Sequence, residues 1–284
     1  MGNRKAVIAF QGALGANSDM ACRDAYPNMK TLPCGTFIDA FRATLDGESE
    51  LAMIPIENSV AGRVADIHRL LPNSGLHIVR EHFLRVKFHL YGVKGATLDS
   101  ITHVHSHLHA LPQCSEFIKK WGYKPVVHAD TAGAAQDVSQ WGDPSQGAIS
   151  TSLAGQLYDL FELATGIEDS EFNTTRFVVM ARKPVIPDAN SEDVMTTFVF
   201  RVRNMPAALY KALGGFATNG VNMTKLESYI QGDFVAAQFY ADVEGHPKQK
   251  GLANAFEELK FFTHSIHILG TYPRHQYRDN QEAK

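Results

Sequence analysis

The 284-residue chain has only three cysteines, Cys22, Cys34 and Cys114, an odd number at wide spacings. They make neither a disulfide framework nor a C-x-x-C metal or redox pair. No apolar stretch approaches the roughly 18 residues that cross a bilayer, so no membrane partner is expected. The apolar run after Met1-Gly2-Asn3-Arg4-Lys5 covers only residues 6–10. It is too short for a signal-peptide core, lacks an obvious cleavage site, and reads as a buried first strand of a cytoplasmic protein. Basic runs are missing too. Lys and Arg number 27 against 30 Asp and Glu, a net charge of −3, so the chain lacks the footprint of a nucleic-acid binder. An anionic ligand must then find local positive sites. The loop Gly12-Ala13-Leu14-Gly15 lacks the Gly-Lys-Ser/Thr of a phosphate loop and the third glycine of a dinucleotide fingerprint, which argues against a nucleotide.

What is present is an ordinary globular composition, 44% hydrophobic and 20% charged, with length enough for two domains. Up to residue 182 short apolar strands alternate with amphipathic helices, a pattern that favours parallel sheets covered by helices. Strands are expected at 7–10, 51–56, 101–105, 125–128 and 147–150. Phe37, Phe41 and Leu45 mark one helical face, and Val60, Val64, Ile67 and Leu71 another. Thr151 and Ser152 are placed to cap a helix carrying Leu153, Leu157 and Leu160. Residues 183–193, with Pro184, Pro187, Asp188, Asn190 and Ser191, read as a linker. From 194 to 284 the pattern changes to strands at 197–202, 222–229, 234–243 and 265–269, with helices at 207–218 and 252–262. That order, βαββαβ, is ferredoxin-like.

Candidate chemistry in the first half lies where strands end in Ser, Thr or Asn before a helix: Asn17/Ser18, Asn58/Ser59, Ser106, Thr131 and Ser150/Thr151. Ligands of open parallel sheets sit beyond such strand ends, where helix N-termini offer unpaired N–H groups. His103, His105, His107 and His109 alternate along the chain, but a strand ending near His105 cannot converge all four, and no metal is expected. Asn173-Thr174-Thr175-Arg176-Phe177, expected between a long helix and a strand, sets three polar side chains and a guanidinium beside an aromatic. Arg suits a carboxylate through two parallel hydrogen bonds.

These residues resemble the prephenate dehydratase family in order and spacing. Leu51–Gly62 is similar to its apolar-PIEN-S/T-xx-G element, His105-Ser106-His107 with Gln113-Cys114 to its SH…QC element, and Asn173–Phe177 to its N-x-T-R-F signature. The resemblance implies an α/β catalytic domain over residues 1–182, two lobes with a cleft between them as in type II periplasmic binding proteins. It also implies that Thr175 is the essential hydroxyl with Arg176 beside it, and that Asn58, Ser59, Ser106, Gln113, Asn173 and Phe177 line the substrate. The family's N-terminal element is kept in Gly12 and Gly15, but Ala13 and Asn17 depart from it. The implied reaction takes prephenate to phenylpyruvate, CO2 and water. Because the ring aromatises as the groups leave, it needs no cofactor.

Residues 194–284 resemble ACT regulatory modules through Met205–Leu213 and Gly220–Ser228. The implied effector is L-phenylalanine, held by Ala207, Ala208, Leu209, Asn222, Glu227 and Ser228 between paired modules of a homodimer or homotetramer. Ala207 stands where these modules usually have Gly, and Tyr229-Ile230 where they have Arg-Pro. Two other readings remain open from the residues alone: an arogenate dehydratase, and a non-catalytic amino-acid sensor.

Overall fold

The computed structural model describes residues 6–64, 67–230 and 236–279. In chain order the elements are β1 (Val7–Gln11), α1 (Asn17–Ala25), β2 (Lys30–Cys34), α2 (Phe37–Leu45), β3 (Leu51–Asn58), β4 (Gly62–Arg63), α3 (Ile67–Leu70), β5 (His77–Arg85), β6 (His89–Gly92) and β7 (His103–His107). There follow α4 (Ser115–Trp121), β8 (Lys124–His128), α5 (Thr131–Trp141), β9 (Gln146–Ser150), α6 (Ser152–Leu157), β10 (Phe161–Ala164) and β11 (Thr174–Ala181). The last part comprises β12 (Val194–Val202), α7 (Ala208–Thr218), β13 (Met223–Ile230), β14 (Ala236–Glu244), α8 (Lys250–Phe262) and β15 (Thr263–Pro273). The chain forms two compact units, residues up to 64 with 83–177, and residues 65–82 with 178 onward.

The first unit carries two α/β lobes. In one, β2, β1 and β3 pair in parallel in that order, and β4 folds back on β3. Ile8, Phe10, Met53, Ile54 and Ile56 are fully buried there, as expected of central parallel strands covered on both faces. Helix α2 starts at a capping box, Thr36 and Asp39 each accepting the other's backbone N–H, before its buried face of Ala40, Phe41, Ala43 and Thr44. The other lobe has strand order β10-β6-β9-β7-β8, with β7 parallel to β8 and β9. Its own core includes Leu90, Ile101, Val104, Ile118 and Ile149. The chain enters the second lobe between β5 and β6 and leaves it between β10 and β11, and Val86 N donates to Asn173 O across these two passages.

Several expectations are corrected. Val60, Val64, Ile67 and Leu71 do not share a helix. Asn58 Oδ1 accepts from both Val60 N and Ala61 N, Gly62 has φ +79°, and the chain doubles back as β4 before the short α3. A local Asx turn outcompetes the helical spacing. Leu160 lies outside α6, which stops at Leu157, with Asp159 at φ 53°. The segment before Asn173 is β10 and a loop rather than a long helix, and β11 already begins at Thr174. Strand β7 runs on to His107, so Ser106 is interior to a strand and not at a helix start. Part of the 234–243 strand, Phe234 included, lies outside the described residues; β14 begins at Ala236.

The second unit holds an antiparallel sheet of order β13-β14-β12-β15, with α7 and α8 packed together. This is the ferredoxin-like arrangement. Phe198, Phe200, Phe216, Phe239 and Phe256 fill its core. Thr197, Asp242 and Tyr272 are fully buried, and the Thr197 hydroxyl lies 2.6 Å from Asp242 Oδ1 and 2.7 Å from Tyr272 OH. His68, from the 65–82 segment, packs edge-on to Tyr240 with ring centroids 4.8 Å apart. Gly270 is required there, because a Cβ would come within 2.1 Å of Ile78 O.

Candidate active site

Residues 115 positions apart meet where β3 ends beside the start of β11. Asn58 Nδ2 donates to Asn173 Oδ1 at 2.7 Å and to Thr175 Oγ1 at 3.0 Å, while its Oδ1 takes the two backbone N–H groups of its turn. Since a backbone N–H only donates, that turn fixes which end of the amide is oxygen. Asn173 Nδ2 then donates to Gln113 Oε1, and Gln113 Nε2 to His109 O at 2.7 Å. The far end is pinned by a carbonyl, which only accepts. The chain of amides from β3 to the 3-10 turn Leu111–Cys114 thus has one orientation throughout, and it joins the two lobes. Thr175 receives a hydrogen bond on its oxygen, and its own proton has no acceptor among the described residues. The hydroxyl is poised to donate.

Arg176 takes another direction. Successive strand residues face opposite sides, and Arg176 NH1 donates to Glu57 Oε1 at 3.0 Å while Thr175 meets Asn58. The arginine side chain is 3% exposed. The expected carboxylate grip therefore meets a guanidinium already engaged inside the protein. Ser59 Oγ donates to Phe172 O at 2.6 Å and accepts from Thr174 N at 2.9 Å, stapling the turn to β11. Phe177 is buried in the core at 1% exposure. Ser106 is fully buried and donates to Ile149 O at 2.6 Å. Asn58, Asn173, Thr175 and Gln113 are thus brought into one network, with Ser59 beside it, whereas Ser106 and Phe177 are buried and take no part in its hydrogen bonds.

Glu57 is the residue whose role sequence reasoning missed, although it stands inside the quoted PIEN element. Its signal was alternation: adjacent residues on β3 must serve opposite faces, as Thr175 and Arg176 do on β11. Gln113 also borders a cavity of about 290 Å3 with Val60, Ala61, His109 and Asp169. Asp169 caps α4 from afar, accepting from Ser115 N and Glu116 N. The Gly12–Ala16 loop between β1 and α1 reaches the second lobe through Thr151, whose hydroxyl donates to Gly15 O, and through Tyr158, which donates to Leu14 O at 3.1 Å. A Cβ on Gly15 would come within 2.8 Å of Ala154 Cα, which accounts for that glycine. Helix α1 opens at Ala16 with no side-chain cap, and the buried Asp19 of its first turn accepts from Gly15 N at 2.8 Å and from Arg23 Nε at 2.9 Å.

The histidines separate. His105 Nε2 lies 2.8 Å from Gln146 Oε1 and its ring packs on Trp141, while His107 and His109 have centroids 5.2 Å apart. Burial, reinforced by His109 and opposed by Asp130, lowers the His107 pKa below its ordinary value. Among the described residues no group of three or more His, Cys, Asp or Glu is arranged as a metal site.

In the second unit Ala207 precedes α7 with φ 61° and ψ 21°, the left-handed region. Ala207, Ala208, Leu209 and Ser228 line one cavity of about 480 Å3. Asn222 and Glu227 are engaged elsewhere, with Glu244 at 3.1 Å and Lys225 at 3.3 Å.

The prephenate dehydratase family model matches residues 8–185. A bifunctional N-acyl-homoserine lactone acylase/prephenate dehydratase of Komagataeibacter europaeus is 50% identical over 97% of this chain and 99% of its own. A chloroplastic arogenate dehydratase/prephenate dehydratase of Arabidopsis thaliana is 37% identical over 95% of this chain and 72% of its own. Among solved structures, the prephenate dehydratase of Arthrobacter aurescens in complex with L-Phe superposes with a TM-score of 0.87 at 28% identity, covering 94% of this chain and 90% of the other. No described helix is long and apolar enough to cross a membrane. With the family model spanning more than half its length, and these relatives nearly all of it, the chain is an enzyme of the prephenate dehydratase family.

Proposed function

We propose that the chain converts prephenate to phenylpyruvate, CO2 and water in the cytoplasm, with Thr175 as the catalytic hydroxyl. The observation that carries this is the Thr175 oxygen filled by Asn58 while its proton is left to donate. Loss of the ring carboxylate as CO2 supplies the electron pair that aromatises the ring, and the C4–O bond breaks to release hydroxide, which takes a proton from solvent to become water. A threonine hydroxyl is too weak an acid to surrender its proton outright, so it stabilises that oxygen by hydrogen bonding. One placed donor of this kind contributes about 2.7–4 kcal/mol in a transition state. Asn58, Asn173 and Gln113 hold it in position. Arg176, locked to Glu57, maintains the β3–β11 junction. The test is ultraviolet detection of phenylpyruvate from prephenate, with arogenate in parallel. Phenylpyruvate release at an enzymatic rate is expected, and turnover of neither substrate would favour the amino-acid sensor.

Two further activities have a specific observation behind them. The Arabidopsis relative bears both dehydratase names, which makes arogenate the alternative substrate. The 50% identity to the Komagataeibacter enzyme extends over nearly both whole chains, so N-acyl-homoserine lactone hydrolysis belongs in the same assay series.

Residues 194–284 act, in this reading, as an ACT module that senses L-phenylalanine and pairs with a second copy in a homodimer or homotetramer. The βαββαβ fold, the cavity at Ala207 and Ser228, and the L-Phe complex of the Arthrobacter relative support it. The effector must favour one conformational state through differential affinity. Titrating L-phenylalanine against the dehydratase rate is expected to lower it. An unchanged rate together with no measurable binding removes the regulatory role.

A further inference from the structure

Strand β5 (His77–Arg85) is gripped by residues near the end of the chain. Glu81 on this strand is fully buried, and Arg278 meets its carboxylate with two parallel hydrogen bonds, Nε to Oε1 at 2.8 Å and Nη2 to Oε2 at 2.9 Å. His275 N donates to the same Oε1 at 3.1 Å. The gripping residues are themselves held. Gln276–Arg278 form a 3-10 turn in which Tyr277 N donates to His275 Nδ1 at 3.1 Å, and Arg274 pairs with Asp279 across it. Arg274 N in turn donates to Asp193 O at 3.0 Å. A planar fork on a carboxylate fixes direction as well as distance, and here the carboxylate belongs to a strand.

The same strand ends on the hydroxyl–amide network. Five residues beyond Glu81, Val86 N donates to Asn173 O at 2.8 Å. Asn173 is 1% exposed and enters the network at two points, accepting from Asn58 Nδ2 at 2.7 Å and donating to Gln113 Oε1. Thr175 follows two residues later on β11, the neighbour of β5 in the sheet. Strand β5 belongs to the C-terminal unit up to His82 and to the first unit from Phe83, so clamp and network are joined along one covalent strand. An extended strand rises about 3.3 Å per residue and has little slack to absorb a shift. Without Arg278, Glu81 becomes a buried charge short of its cation, and β5 must move to let water reach it.

We propose that Arg278 is a positioning residue for the dehydration, acting through Glu81 and β5 on Asn173, Asn58 and Thr175. The inference rests on Thr175 being the catalytic hydroxyl, and the test separates the two. Arg278→Met and Thr175→Ala are made singly and together in the full chain. Rates on prephenate are measured well below the thermal midpoint of each variant. A misplacement of about 1 Å can cost on the order of 10²-fold, so Arg278→Met should lower kcat roughly ten-fold or more with KM nearly unchanged. On the Thr175→Ala background the same change should cost less than about two-fold, because the hydroxyl it positions is already gone. Arg278→Lys keeps the charge but loses the fork, and should fall between wild type and Arg278→Met. It replaces Arg278→Met in the cycle if that variant does not fold. An unchanged kcat, a rise in KM alone, or an equal loss on both backgrounds overturns the proposal, the last marking Arg278 as a structural support only. Thr175→Ala turning over at the wild-type rate would instead remove the role of Thr175 from which the inference starts.

Discussion

At Thr175 the decisive feature is a division of labour within one hydroxyl group: the oxygen accepts from Asn58 and the proton remains for a ligand. Thr175→Ala deletes the donor and little else, so kcat should fall about 10²–10³-fold with KM nearly unchanged, as expected of an interaction made mainly in the transition state. Steady-state kinetics on prephenate check this, and a wild-type rate would end the role given to Thr175. Arg176→Ala should act differently from what its place in the motif implies. Its guanidinium is buried against Glu57, and breaking a buried pair costs about 3–5 kcal/mol. Glu57 is about one-third exposed at 32%, which places the loss at the low end of that range. A fall in thermal midpoint, measured by circular dichroism, should accompany any loss of rate. At this scale Asn58, Asn173, Thr175 and Gln113 were all legible from motifs. That Glu57 is the partner Arg176 meets, and that the Ser106 hydroxyl turns to Ile149 O, were not, since each depends on which neighbour packing brings alongside.

Hydrophobic spacing located an element where local turn chemistry did not oppose it. Helix α2 formed where Phe37, Phe41 and Leu45 put it and opens on the Thr36–Asp39 box, although Leu45 is exposed and the buried face is Ala40, Phe41, Ala43 and Thr44. The stripe from Val60 to Leu71 followed the cap candidates Asn58 and Ser59, but the Asn58 side chain closed a turn that, with Gly62, led into β4. Ala207 shows the converse, a residue at odds with its conformation. At φ 61° an alanine bears a cost that glycine escapes. Ala207→Gly should therefore stabilise the protein by about 1 kcal/mol, read as a higher urea midpoint at unchanged m-value; a lower midpoint would contradict it. The substitution also removes a methyl from the cavity that Ala207 lines, so L-phenylalanine affinity should be measured on the same variant.

Over the whole molecule, the division does not follow chain order. Residues 65–82 belong with the C-terminal unit, where His68 packs on Tyr240 and the fully buried Glu81 takes a bidentate grip from Arg278 at 2.8 and 2.9 Å. A fragment ending at residue 193 would keep the linker boundary intact yet strip these partners from a segment that includes the buried Ile67, Leu71 and Ile78. It should lack a cooperative thermal transition, whereas a sharp melt near that of the full chain would show the first 193 residues to be self-sufficient.

Composition and motif order determined the family, the α/β character of the first half, the ferredoxin-like order of the second and most members of the hydroxyl–amide network. Those properties are written in local periodicity and in short runs of residues. Tertiary structure alone decided that 65–82 joins the C-terminal unit, that Arg176 turns to Glu57, and that Arg278 reaches the buried Glu81. Each of these depends on contacts between residues far apart in sequence, where burial and hydrogen-bond partners are set by packing that no local pattern encodes.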